Sequence, residues 1–230
     1  YHAVLSDGTE RTGETVVPES ICLDKWELEV EDWNEGEKVE IIEDRGLGII
    51  TKEVYYETTK EKRSAGVTEL KPWKDIAKIG PEVSGVGYYR TKITLPNNWD
   101  TATGAVLKIE STNKNTAAVY VNGKKAPAFD IARPETDITA LLQPGENEIT
   151  VEVSSTLNNR LLARGYFDTI LSTTEQYMMA ANNAMETESS DESGEESSAS
   201  ALLSKDFSSA PHDYGMVGKT GVEFYKRIML

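Results

Sequence analysis

Residues 85–96 read GVGYYRTKITLP, 105–110 AVLKIE, 116–130 TAAVYVNGKKAPAFD and 136–159 TDITALLQPGENEITVEVSSTLNN. In the first run Tyr89, Thr91, Ile93 and Leu95 alternate with Tyr88, Arg90, Lys92 and Thr94. Successive side chains of a strand leave opposite sides of the pleat, so strict alternation marks a strand with one buried face. Leu107 and Ile109 repeat the pattern beside Lys108 and Glu110. Ile149, Val151 and Val153 repeat it beside Glu148, Thr150 and Glu152. Between them Asn122-Gly123 is flanked by Val119, Val121 and Lys124. Asn-Gly suits a two-residue hairpin, because both positions need positive φ. The expectation is an antiparallel sheet with one wet face, forming half of an all-β sandwich.

Residues 1–19 are polar, with Gly8 and Gly13, and are expected to be a linker or the tail of a preceding domain. The opening YHAVL could form a short strand. Trp26, Leu28 and Val30 alternate with Lys25, Glu27 and Glu29, which predicts a strand over 21–30. Residues 31–38, with Gly36, are expected to be a charged turn. Strands are expected at 39–42 and 49–56, separated by Arg45-Gly46-Leu47-Gly48, and a charged loop at 58–66. Trp73, in LKPWKDI, is expected to pack across one end of the sandwich. Residues 96–104 form a loop carrying Trp99, 126–134 cross an end of the sandwich, and 136–142 form a helical turn. Gln143-Pro144-Gly145-Glu146 is a tight turn into the next strand, with Pro presetting φ at its second position. Ser172-Thr173-Thr174-Glu175 matches a capping box and predicts a short helix over 173–181. Val222, Phe224 and Ile228 predict a closing strand. A Ser/Glu-rich segment at about 184–210 is too polar to offset its ordering entropy and is expected to be a flexible acidic insertion.

Several of these motifs resemble known ones. GVGYYRTKITLP, VYVNGK, DITALLQPGENEITVEV and STLNNRL together resemble the galactose-binding-like jelly-roll modules of glycoside hydrolases, including the sugar-binding domains of β-galactosidase and β-glucuronidase-type enzymes. The sequence is most similar to the terminal β-sandwich of rhamnosidase-type enzymes: Trp26, Trp33 and Trp73 precede a Ser84-Gly85-x-Gly87-x-Tyr89 strand, and residues 214–225, YGMVGKTGVEFY, close the domain. The resemblance covers roughly residues 20–230 and implies a single sandwich module there, with the 184–210 insertion peculiar to this chain. It also implies that catalytic acid and base belong to another domain, that this chain is a non-catalytic accessory module, and that the parent is bacterial and extracellular or periplasmic. A fold hosts many functions, so the motifs specify architecture better than activity.

Composition narrows the classes. The 230 residues carry a net charge of −15 and a pI near 4.6, which disfavours nucleic acid and an anionic membrane surface. The single Cys22 leaves no internal disulfide. No apolar run approaches the ~20 residues of a membrane helix, and no signal peptide is visible. A chain that starts at Tyr1 is expected to be a fragment of a longer protein or a processed one.

No G-x-S-x-G elbow, HExxH or CxxC occurs, and GVG at 85–87 precedes a strand where a phosphate cradle would need a helix. No cofactor is expected. A structural calcium ion remains open, although DESGEE lacks the spacing of a calcium loop. His212 is expected to be a surface or turn-packing residue. Sugar binding needs aromatic faces beside amides, carboxylates or guanidiniums. The candidates are Trp73, Trp99, Asn158, Asn159 and Arg160, with Asp130 and Arg133 behind them. Core packing for Trp73 and a structural turn at Asn158-Asn159-Arg160 stand as alternatives. The expected partners are carbohydrate and the neighbouring catalytic domain; a sandwich that contacts only protein is the rival reading.

Overall fold

Runs of β-branched residues at alternate positions produce two antiparallel sheets that share one core. A computed structural model of the chain describes residues 2–100, 102–167 and 210–226. The short helix expected over 173–181, Ile228 and all but the last residue of the acidic segment lie outside these. The strands are β1 (His2–Val4), β2 (Glu10–Thr12), β3 (Ile21–Cys22), β4 (Trp26–Asp44), β5 (Ile50–Thr68) and β6 (Gly85–Leu95). They continue with β7 (Thr103–Ser111), β8 (Thr116–Val121), β9 (Lys124–Lys125), β10 (Glu135–Asp137) and β11 (Gly145–Ser154). A short helix, α1 (Asn158–Ala163), precedes β12 (Val217–Lys226). One sheet runs β5-β4-β6-β11-β8-β9 and the other β10-β7-β12-β3. Residues 2–12, expected as linker, form the separate hairpin β1-β2.

The inward positions are those that the alternation predicts. Tyr89, Ile93 and Leu95 of β6, Leu107 and Ile109 of β7, and Ile149, Val151 and Val153 of β11 are all buried. Asn122 and Gly123 have φ of 52° and 75° and make the predicted β8-β9 turn. The turn into β11 is held by Asn147, fully buried, whose side chain accepts from Gln143 N–H at 2.9 Å and donates to the Gln143 carbonyl at 2.8 Å.

Trp73 closes one end of the core. Its indole N–H donates to the Tyr89 hydroxyl at 2.8 Å, and the Met216 N–H donates to the same oxygen at 3.1 Å. Gly87 is required here, since a Cβ at that position would lie 2.4 Å from the Trp73 ring. Tyr89 is thus a buried node tying β6 to the closing strand's approach.

The largest departure from expectation is β4-β5. The expected charged turn at 31–38 and charged loop at 58–66 are both strand, paired from Trp26↔Thr68 to Asp44↔Ile50. Gly36 sits at a bulge, while the expected break at Arg45-Gly46-Leu47-Gly48 is the hairpin's only turn. Charges that look loop-like in sequence pair on the ribbon: Lys60 with Glu31 at 3.0 Å, Lys62 with Glu29 at 2.9 Å and Lys52 with Glu40 at 2.8 Å. β4 pairs with β6 only from Glu27 to Asp32, so its remaining residues leave the sandwich as a two-stranded arm. Ten residues of β4, 35–44, give the arm a reach of roughly 30 Å.

Burial pushes the Tyr89 phenol up to about 12, against the lowering effect of the bonds from Met216 and Trp73. The unfolded chain ionises near the ordinary 10.0, so stability is complete below that pH and declines as pH rises toward 12. Tyr89→Phe is expected to lower neutral-pH stability by about 1–3 kcal/mol, because it orphans two buried donors. It should also flatten the decline between pH 10 and 12, as read by urea unfolding across that range.

Candidate functional site

The inward series Trp26, Leu28, Val30 in β4 continues to Asp32, a fully buried carboxylate at the root of the arm. A buried charge requires partners, and two arginines supply them. Nη2 of Arg160, on α1, lies 2.7 Å from each Asp32 oxygen. Nη2 of Arg63, on β5, lies 2.9 Å from Oδ2. Asn34 donates at 3.2 Å, and Arg63 also donates to the Ile79 carbonyl at 3.1 Å. The Arg160 backbone N–H donates to the Ser84 hydroxyl at 3.2 Å, which seats α1 on the start of β6. Asn159 faces the other way. Its amide accepts from the His212 N–H at 2.8 Å and donates to the His212 carbonyl at 3.0 Å, pinning the returning chain.

This anchoring leaves a cleft of about 470 Å³ between the arm's base and α1. Trp33, Tyr56 and Tyr166 line it, with Leu157 and Leu161. Tyr56 is 54% exposed and Tyr166 49%. Polar groups reach the same space from Asn34, Glu35, Glu57, Arg160 and Arg164. Arg164 meets Glu35 at 3.3 Å across the mouth, both half exposed. Trp33 is fixed by its indole N–H, which donates to Glu31 at 2.8 Å, and by Lys60, whose ammonium stands 4.7 Å from the ring centroid. That indole bond and then Lys60 hold the Glu31 carboxyl below its usual value. Gly85, with φ of 151°, allows this approach: a Cβ there would lie 2.0 Å from the Glu31 carbonyl oxygen and 3.0 Å from Trp33. Rings beside amide, guanidinium and carboxylate groups suit a ligand with both apolar and hydroxylated faces.

The sequence candidates do not converge. Trp73 is 1% exposed and belongs to the core. Asn159 is buried and serves the backbone clamp, while Asn158 opens α1. Arg160 borders the cleft, yet its side chain is 11% exposed and committed to Asp32. Asp130 and Arg133 bridge each other in a surface turn, with Arg133 paired to Glu135 at 2.8 Å. Trp99 packs edge-on against Phe224, with ring centroids 5.3 Å apart, beside a separate cleft of about 400 Å³. It lies past Leu95, whereas Arg160 meets Ser84, so the length of β6, roughly 33 Å, separates the two. His212 is turn-packing, its ring edge-on to Tyr214.

Sequence reasoning missed Asp32, Tyr56, Arg164 and Tyr166, and used Trp33 only for the fold. Two signals were available. Asp32 is an acidic residue in register with three core positions, and Arg160 and Arg164 are spaced i, i+4, the second capping the end of α1. Among the described residues no three His, Cys, Asp or Glu side chains gather in a group that could hold a metal ion.

The fold and cleft define an antiparallel all-β sandwich with an aromatic-lined groove at one corner. No family model matches the chain, and no curated protein does. Among solved structures it is similar to a rhamnosidase from Novosphingobium sp. PP1Y, at 14% identity and a TM-score of 0.48, covering 96% of this chain and 16% of that one. A β-glucuronidase from Faecalibacterium prausnitzii matches at 15% identity and a TM-score of 0.42, over 94% of this chain and 33% of that one. A β-D-glucuronidase from Dictyoglomus thermophilum matches at 18% identity and a TM-score of 0.35, over 62% and 20%. The chain therefore spans a third or less of each of these proteins.

Among the described residues, removing Asp32 would leave Arg160 with only Glu82, 3.5 Å away, and strip Arg63 of its one carboxylate. Asp32→Ala is expected to cost roughly 3–5 kcal/mol in chemical denaturation, against about 1 kcal/mol or less for the exposed-pair variant Lys92→Ala.

Proposed function

We propose that this chain is an accessory β-sandwich module of a larger carbohydrate-active enzyme, in the galactose-binding-like jelly-roll class, and that it holds glycan in the cleft at the base of the arm. The observation that carries this reading is the cleft: three aromatic rings line one space with amide, guanidinium and carboxylate groups. Sugar rings present axial C–H groups to aromatic faces and hydroxyls to such polar groups. The order of motifs in the sequence points the same way. The module's other role is to support the neighbouring catalytic domain, and an extracellular or periplasmic setting goes with a polysaccharide-degrading parent.

A second reading has its own observation. The outer arm exposes Ile42, Leu47, Ile49 and Ile50, from 55% to fully, which suits a sandwich that contacts protein and has no sugar affinity.

A glycan array probed with the 230-residue chain separates the two. Retention is expected, weakened about three- to tenfold by Tyr166→Ala as one stacking ring is lost, and unchanged by Trp99→Ala. Loss with Trp99→Ala but not Tyr166→Ala would move the site to the far end of β6. No retention of any glycan at millimolar concentration would leave the protein-contact reading.

A further inference from the structure

We infer that the cleft selects uncharged pyranosides over uronic acids and other anionic sugars. This rests on the reading of the cleft as a sugar site and adds the ligand's charge class to it.

The preference is electrostatic. Among the described residues, both cations that line the cleft are already engaged. Arg160 is held by Asp32 and reaches Glu82 at 3.5 Å, while Arg164 meets Glu35. Arg63 shares Asp32 from behind. Glu57 adds a further carboxylate to the lining. The three guanidiniums Arg63, Arg160 and Arg164 thus stand against the four carboxylates Asp32, Glu82, Glu35 and Glu57. The whole chain adds a net charge of −15. An anionic ligand entering here gives up water without gaining an unpaired cation, and an unpaired charge taken out of water is costly. To meet Arg164 it must share that guanidinium with Glu35, which then faces it as a like charge.

A neutral ring meets none of these penalties. Its hydroxyls can donate to Glu35 and accept from Arg164 without breaking the charge balance of the pair. Its C–H face can lie against Tyr56, Tyr166 or Trp33. The half-exposed Arg164–Glu35 pair is therefore the element that sets ligand charge, while the rings supply contact area that does not discriminate by charge.

The test uses matched ligands that differ only at C6. Methyl glucopyranoside and methyl galactopyranoside are compared with methyl glucuronide and methyl galacturonide by saturation-transfer NMR on the whole chain. The neutral members are expected to bind at least tenfold more tightly than their uronides. Uronides that match or exceed the neutral glycosides overturn the inference and leave the sugar site standing. Binding of neither class overturns both. Glu35→Gln provides an independent arm, because it releases Arg164 on an exposed surface without touching the core. It should strengthen uronide binding roughly three- to fivefold, the worth of an exposed pair, and weaken neutral binding. An unchanged ratio of uronide to neutral affinity in Glu35→Gln would also overturn the inference.

Discussion

A single buried carboxylate, Asp32, fixes the corner of the molecule on which the functional reading depends. It is the last β4 residue paired with β6, so it stands where the chain leaves the sandwich to become the arm. Its two arginines come from β5 and from α1, and through Arg160 and Ser84 the helix is seated on the start of β6. Charged hydrogen bonds of 2.7–2.9 Å at a site with no solvent exposure are strong and directional, and breaking one partner strands the others. Asn159, the neighbour of Arg160, clamps the chain at His212. Two adjacent residues on one short helix thus hold the arm's root on one side and the returning chain on the other.

The arm is costly in a different way. A two-stranded ribbon outside a sheet buries little and is marginal on its own. Here it is an extension of strands whose inner halves are locked into the core, so its register is set before it leaves the sandwich. The other edges of the two sheets, β3, β9 and β10, are two or three residues long. The β5 edge runs for 19 residues, and its inner part carries Lys60, Lys62 and Arg63, the kind of charge that discourages edge-to-edge pairing. The outer part is more apolar. A ribbon that is charged near its root and apolar toward its tip separates a corner suited to ligand from a surface suited to contact.

The centre of the fold was legible in the sequence because burial there obeys a period of two. β6, β7 and β11 have their inward residues where the alternation places them, and Asn122-Gly123 makes its hairpin from local φ preferences alone. The arm was legible only toward its tip, where the strands expected at 39–42 and 49–56 flank the turn at Arg45-Gly46-Leu47-Gly48. Its inner residues were misread, because charged runs such as Thr58-Thr59-Lys60-Glu61-Lys62 look the same in a loop and on an exposed ribbon. The cleft was legible only in part. Arg160 was singled out for a ligand, whereas its guanidinium is committed to a residue 128 positions earlier in the chain. Trp73 was read both as a packing residue and as a sugar candidate, and Gly87 and Gly215 leave room for it inside the core. Tyr56 and Tyr166 carry no local mark at all; they matter because the ribbon and α1 bring them to one cleft.

Asp32 couples the arm's root to α1. Hydrogen–deuterium exchange of the whole chain, compared between the native sequence and Asp32→Asn, tests it most directly. Amides of α1, of the arm's base near Asn34 and Thr59, and of residues near His212 are expected to lose protection together, while those of β6 and β11 keep theirs. Loss confined to α1, or spread evenly over the sandwich, would contradict it.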